Sequence, residues 1–510
     1  MAFDVTRLDD DALAGWLVQR RWFGAKSREL AQAHVLDAVV LHDGPPALSV
    51  AIVEARFPGG THDLYQLLLA ARPAAEGWDR EVVQQLGRQT VYDALADPDA
   101  VALISGLLRE QASMGDASRV SFHWLDTVAP PTGMPPARPI GAEQSNSSVV
   151  LDERLVLKCF RRLEPGESPE LEMVRFLSER GFPHIAELAG WCEYAGEVMD
   201  ATLAICQRLI EGGRDGWELV LDGLEEDPDA LIDRLRDLGA VVGAMHAVLA
   251  SDSSDPAFAP EEPSEEALPL LTATIDEQID RLFVDLPRDD ERLAAIAGRG
   301  EEARDRLRLV ANAGHLGRLI RHHGDFHLGQ TLLVPAGAAG GAAPTGAGVG
   351  AGRVAPAGAG VGAGRLAPAG ASAAVGGSAA DRPVPSWVLL DFEGEPARPL
   401  RERRRKGPAL RDVAGLLRSL AYAVFAAKLQ RDVLVPEGWE ERAREAFLEG
   451  YLAAVDPTVL PPSAAATRML LSILELEKAV YELRYELDHR PDWVAIPTAA
   501  IARLLDEEAA

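Results

Sequence analysis

The chain has 510 residues, 47% of them hydrophobic and 25% charged, and a formal net charge of −28. That length accommodates roughly two to four domains, and the composition supplies an ordinary soluble core. So acidic a surface repels phosphate backbones and anionic head groups, which excludes nucleic acid and membrane as main partners. The opening MAFDVTRLDD has neither the basic nor the apolar stretch of a secretory signal, and no apolar run is long enough to span a bilayer. A cytoplasmic protein is expected. Cys159, Cys192 and Cys206 have no metal or redox spacing and lie in apolar surroundings, as buried reduced thiols do.

Residues 1–135 mix helical stretches, DALAGWLVQRRWF (11–23) and REVVQQLGRQTVYDALAD (80–97), with strand-like ones at 34–41, 48–57 and 63–71. The Pro-rich VAPPTGMPPARP (128–139) closes this first domain. Residues 136–208 form a β-rich lobe. Its strand-like runs IGAEQSNSSVVL and ERLVLKCF flank a polar turn, EQSNSS, at 143–148. In that turn Gln144, Ser145, Asn146 and Ser147 are candidates to bring backbone N–H groups to a phosphate, although the turn lacks a Gly-x-Gly-x-x-Gly pattern. An ordinary polar hairpin turn would read the same way. Next, SPELEMVRFLSERG carries a full helix signature, with Ser168 as N-cap, Pro169 at N1 and Gly181 at the end. Residues 209–510 are mainly helical. Strands first and helices later give an α+β, bilobal arrangement, a small β-rich lobe and a large α-helical one.

An Ala/Gly/Pro-rich insert interrupts the helical part at about 335–384, and GAGVGAGRVAPA (346–357) repeats at once as GAGVGAGRLAPA (358–369). It has almost nothing apolar to offset ordering entropy, so it is read as disordered. TLLV precedes it and SWVLLDFEGE follows it; without the insert they are neighbours, and a hairpin is expected.

Phosphoryl transfer needs a group to hold phosphates, a cation to neutralise charge and a carboxylate to orient the attacking hydroxyl. The chain presents these in the order of a protein-kinase-like fold. Lys158 lies on a strand between apolar neighbours, and Glu172 on the following helix is its expected partner against the nucleotide phosphates. Asp325 in RHHGDFHLGQ (321–330) is the candidate base. Gln330 five residues later, and Asp391 at the end of an apolar strand, would offer oxygens to Mg²⁺. His323 and His327 are four apart, but the turn-like Gly324 breaks the helix that such ligation needs; His323 reads better as a loop anchor. Asp412, at the start of an amphipathic stretch (409–425), is placed to bond the backbone of the catalytic loop, and RERRRK (401–406) reads as a solvated loop.

Taken together, IGAEQSNSSVVL, LKCFRRLEPGESPELE, HGDFHLGQTLL, DFEGEPARPL, LRDVAGLLRSLAYA and EKAVYELRYELDHRPDW resemble the actinobacterial maltokinases, relatives of the aminoglycoside-phosphotransferase kinases. RRWFGAKSREL, DLYQLLLAA and VYDALADPDA resemble that family's N-terminal cap. The resemblance implies a cap over 1–135, a nucleotide-binding lobe over 136–208 and a catalytic lobe over 209–510. It implies ATP and Mg²⁺ as cofactors and the conversion of maltose to maltose 1-phosphate, feeding α-glucan synthesis. Trehalose-derived maltose further implies a functional association with trehalose synthase. By the same resemblance Asp325 is the base, Gln330 and Asp391 the metal ligands and Lys158 the phosphate-binding cation. The sugar pocket would draw on the catalytic loop, with His323, and on a late helix, with Glu482 and Arg490. ATP is expected against the connector near Gln207–Ile210. Close relatives of this fold include glucosamine kinases, so an amino sugar is the alternative acceptor; a sugar-sensing pseudokinase is the non-enzymatic alternative. Monomer and homodimer both remain open. A chain lacking residues 335–380 is expected to keep its kinetics; a changed kcat or KM would give the insert a role.

Overall fold

A computed structural model of the chain describes residues 4–131, 136–140, 145–287, 290–311, 316–335, 386–396 and 398–506. These fall into two compact units. The Ala/Gly/Pro-rich stretch lies outside the described residues apart from Pro335, and so does Gln144.

The first unit comprises Met1–Glu179 and Ile185–Glu211, and thus holds the segments expected as cap and nucleotide-binding lobe. One antiparallel sheet runs, in spatial order, Gln32–His42, Ala47–Arg56, His62–Pro73, Gln89–Asp93 and Val82–Leu86. A second sheet has seven strands, with Leu155–Phe160 between Asp200–Arg208 and Asn146–Leu151. Alternation along Ala47–Arg56 explains how the first sheet is buried on both faces. Val50 and Ile52 enter a core with Phe122, Leu157 and Leu203, while Ala51 and Val53 enter another with Trp16, Phe23 and Tyr65.

The first helix, Asp10–Leu17, is capped by Asp9, whose side chain accepts from the Ala12 N–H. The helix expected over 80–97 is instead the hairpin Val82–Leu86 and Gln89–Asp93. Val82, Val83, Thr90 and Val91 are β-branched and favour extended backbone. Their pairing sends Val83 and Val91 into the core, which outweighs the helical spacing of the apolar residues. Chain and structure agree on Pro169–Glu179, which starts at the expected Pro169 with Glu172 N–H donating to Ser168 O.

The second unit comprises Arg180–His184 and, among described residues, those from Gly212 onward. It is helical around one three-stranded sheet of Arg214–Asp215, Thr331–Val334 and Ser386–Leu389. The hairpin expected across the insert forms, from Thr331 opposite Leu389 to Val334 opposite Ser386. The longest helices among its described residues are Pro228–Leu249, Leu410–Arg431 and Ala464–His489. Among the described residues no helix is long and apolar enough to cross a membrane.

Candidate active site

In the second unit a loop runs from the short strand Leu319–Ile320 to the turn Leu328–Gln330 and carries Asp325. Gly324 takes φ +85°, a left-handed conformation that favours glycine, and turns the chain so that Asp325 follows directly. The loop is held by one carboxylate. Asp412 Oδ2 accepts from the His323 N–H at 2.7 Å, and Oδ1 accepts from the Gly324 N–H at 2.9 Å. This is the contact expected of Asp412. Behind it, His246 on Pro228–Leu249 lies between Asp412 Oδ2 at 3.0 Å and the Tyr451 hydroxyl at 3.1 Å. Burial alone would raise the Asp412 carboxyl. The His246 hydrogen bond and the nearby imidazoles outweigh it and hold the group well below the usual carboxylate range. The helix of Asp412 also comes very close to the loop: a Cβ at Gly415 would lie 2.5 Å from Phe326 O.

His323 is a loop anchor, and its ring nitrogens are turned to backbone. Its Nε2–H donates to Leu390 O at 2.8 Å and its Nδ1 faces the Asp325 N–H at 3.4 Å, so both ring nitrogens are spent on backbone. The side chain is 2% exposed and packs against Phe392. The same anchor fixes Asp391. Leu390 N–H donates to Gln330 O at 2.9 Å while Leu390 O accepts from His323. The next residue, Asp391, takes a left-handed φ of 61°, which Asp tolerates better than most side chains. Its Oδ2 accepts from Gln330 Nε2 at 3.1 Å. Gln330 Oε1 is buried with no hydrogen-bond partner among the described residues. A carboxylate beside an orphaned amide oxygen is the donor set a hard divalent cation takes, so these residues fit Mg²⁺.

Sequence reasoning missed Lys478. Its Nζ lies 4.0 Å from Asp325 Oδ1. Burial works to lower the ammonium's pKa, but Asp325, Glu482 and Glu395 outweigh it and raise it above the ordinary lysine value. The available signal was its place on the late helix, one turn before Glu482. Asp325 and Lys478 line a groove of about 600 Å³ together with Glu395, Arg398, Glu477 and Tyr481. Such a volume is within the range of about 300–1,000 Å³ usual for ligand pockets. From RERRRK, Arg403, Arg405 and Lys406 also line it, so this stretch is less detached from the site than a plain solvated loop would be.

Neither late-helix candidate presents an open charged head. Glu482 is 5% exposed and accepts from Arg418 Nε at 2.9 Å, with Arg418 Nη2 at 2.8 Å. Arg490, the C-cap of the helix, bonds Glu486 one turn back through Nε at 2.9 Å, and its guanidinium lies over Trp493. As sugar contacts both would have to act through groups already committed to ion pairs.

In the first unit Lys158 lies on Leu155–Phe160 as expected, and the Glu170 carboxylate meets its ammonium at 2.8 Å. Glu172 is itself buried. Of the turn residues, Asn146 and Ser147 belong to the strand Asn146–Leu151, and the Ser147 hydroxyl accepts from Arg161 Nε at 2.8 Å. Ser145 alone of the named residues is described in the turn itself, and it is exposed.

Replacing Asp412 by Ala strands two backbone N–H groups and His246 in the interior. The loss expected is about 3–5 kcal/mol of stability, the usual cost of breaking a buried pair, together with most of the activity. Urea unfolding and turnover measure it. Because the folded-state pKa of Asp412 is depressed, its contribution is present above the unfolded value near about 3.9 and is lost only as pH falls below it. Wild type should therefore keep this share down to about pH 4, whereas Asp412→Asn lacks it at neutral pH as well.

Residues 16–97 match the family described as the maltokinase N-terminal cap domain, and residues 136–338 match the phosphotransferase enzyme family. A glucosamine kinase of Streptacidiphilus jiangxiensis is 27% identical over 428 residues, 81% of this chain and 82% of that one. A glucosamine kinase of Mycolicibacterium smegmatis is 26% identical over 387 residues, 72% and 80% of the two chains. Among solved structures, a glucosamine kinase in complex with glucosamine, ADP and inorganic phosphate superposes with a TM-score of 0.65 at 20% identity, covering 99% of this chain and 100% of the other. The cap and the kinase-type loop thus belong to one architecture, and the chain is a phosphotransferase acting on an alcohol group, with the α+β, bilobal, protein-kinase-like fold and N-terminal cap that its sequence led us to expect.

Proposed function

We propose that the chain is an ATP-dependent sugar kinase that converts maltose and ATP to maltose 1-phosphate and ADP. The observation that carries this reading is Asp325, fixed by the Asp412 clamp at the wall of a groove of about 600 Å³. In the proposed step Asp325 accepts a hydrogen bond from the sugar hydroxyl and aligns its oxygen with the γ-phosphorus. The new O–P bond forms as the bond to ADP breaks, and the hydroxyl proton passes to the carboxylate. The transition state is loose, so alignment matters more than basicity. Lys158, held by Glu170, is assigned to the nucleotide phosphates. Gln330 and Asp391 would hold Mg²⁺, which supplies charge neutralisation at the phosphates.

The maltokinase cap and a groove roomy enough for a disaccharide support maltose. Glucosamine is the second reading. It is favoured by the names of the two relatives. The buried thiols Cys159, Cys192 and Cys206 fit a reducing compartment, and we place the activity in the cytoplasm. A maltose supply by isomerisation of trehalose is the reaction this reading implies upstream.

ADP release measured with maltose, glucosamine, glucose and trehalose tests the assignment: maltose should give the highest kcat/KM, and a preference for glucosamine moves the function to the second reading. Asp325→Asn should keep its melting temperature and lose about 100- to 10,000-fold in kcat; near-normal turnover overturns the role of Asp325. Asp391→Ala should abolish Mg²⁺-dependent turnover, and an unchanged metal dependence counts against Asp391 as a ligand.

A further inference from the structure

Behind the catalytic loop lies a second, much smaller cavity of about 20 Å³, lined by His327, Ser419, Tyr422, Lys478 and Glu482 among others. Phe326, Gly415 and Lys478 line both this cavity and the large groove. His327 is 6% exposed, and neither Nδ1 nor Nε2 has a hydrogen-bond partner among the described residues. Burial pushes its imidazole down to about 4, so at neutral pH the ring is uncharged and offers one donor and one acceptor. Leaving a buried polar group unsatisfied is costly. Cavities that stay dry are apolar, and a volume above about 10–15 Å³ admits one water-sized guest. This cavity is of mixed lining, with polar groups from His327, Ser419, Tyr422, Lys478 and Glu482, and is just large enough.

We propose that it is a single-oxygen site, in which His327 binds one uncharged hydroxyl oxygen, either a water or a hydroxyl of the acceptor, and so acts as a positioning residue behind Asp325. The charges around it select an uncharged guest. An ammonium would meet Lys478 with no free counter-charge, because Arg418 already neutralises Glu482 at 2.8 Å. A carboxylate is too large for the volume and would face Glu482. A hydroxyl oxygen can accept from one ring nitrogen and donate to the other partner without opposing either charge. Lys478 connects the site to the chemistry, since it lines the cavity and lies 4.0 Å from Asp325. Only the acceptor-hydroxyl source rests on the sugar-kinase reading; a water would occupy the site whatever the substrate.

The test pairs crystal structures of the full chain, with and without maltose, with kinetics of His327→Phe and His327→Gln on maltose and glucosamine. We expect an oxygen at about 2.7–3.2 Å from a ring nitrogen of His327. If it is water, it is present in both crystals, and His327→Phe lowers kcat at least tenfold for every acceptor with KM within twofold. If it is an acceptor hydroxyl, it appears only with maltose, and His327→Phe raises the maltose KM at least tenfold. His327→Gln, which keeps a donor and an acceptor, should recover to within about threefold of wild type. An empty cavity in both crystals overturns the proposal, as does His327→Phe with kcat and KM both within twofold of wild type, or a glucosamine nitrogen seated in the cavity. Should wild type phosphorylate no sugar, the sugar-kinase reading falls, while the ligand-free crystal still decides the site. It also decides it if His327→Phe fails to fold.

Discussion

The loop that carries Asp325 depends on the single carboxylate of Asp412. Two consecutive backbone N–H groups, from His323 and Gly324, converge on its two oxygens. Asp325 is the next residue, so its direction is set by a bond it does not make. His323, oriented by the same grip, reaches Leu390 O and thereby ties down the segment that bears Asp391. One buried anion thus fixes the candidate base and a candidate metal ligand 66 residues further on in the sequence. The anion stays ionised because His246, backed by Tyr451, donates to it within the core.

A second regularity lies on the late helix. Glu475, Glu477, Glu482 and Glu486 are all buried, and each meets an arginine: Arg444, Arg411, Arg418 and Arg490. Three of these arginines come from neighbouring helices and one from the same helix. In a chain of net charge −28, such pairing keeps the interior from accumulating unneutralised anions. Lys478 departs from the pattern by facing Asp325. The helix therefore separates its charges by role, with arginine–carboxylate pairs closing the wall and one ammonium turned toward the reacting side.

What could be read from the sequence depends on the range of the forces involved. The hairpin of Thr331–Val334 and Ser386–Leu389 was legible because short buried apolar runs and breakers are local signals, and an insert at a hairpin tip changes neither. Asp412 was legible through its position at the start of a helix after the loop. Glu170 as a partner of Lys158 was not, because composition offers Glu170 and Glu172 alike. The hairpin at 82–93 was misread as helix since its apolar spacing suits both periods and pairing with neighbouring strands decides. Glu482 was named for a sugar without its counter-ion, since nothing local reveals that Arg418, 64 residues away, neutralises it. His323 was assigned to the sugar although both of its nitrogens serve backbone groups that only the folded loop brings near.

Gln330 shows how a long-range contact gives meaning to an unusual letter. An amide side chain can present either end, and a carboxylate only accepts, so Asp391 must take the Nε2 end. That choice turns Oε1 the other way, into a buried position where no described residue meets it. An acceptor left so in a folded interior costs about 1–3 kcal/mol unless something else satisfies it. The hydrogen bond that spends the nitrogen of Gln330 is also what aims its oxygen.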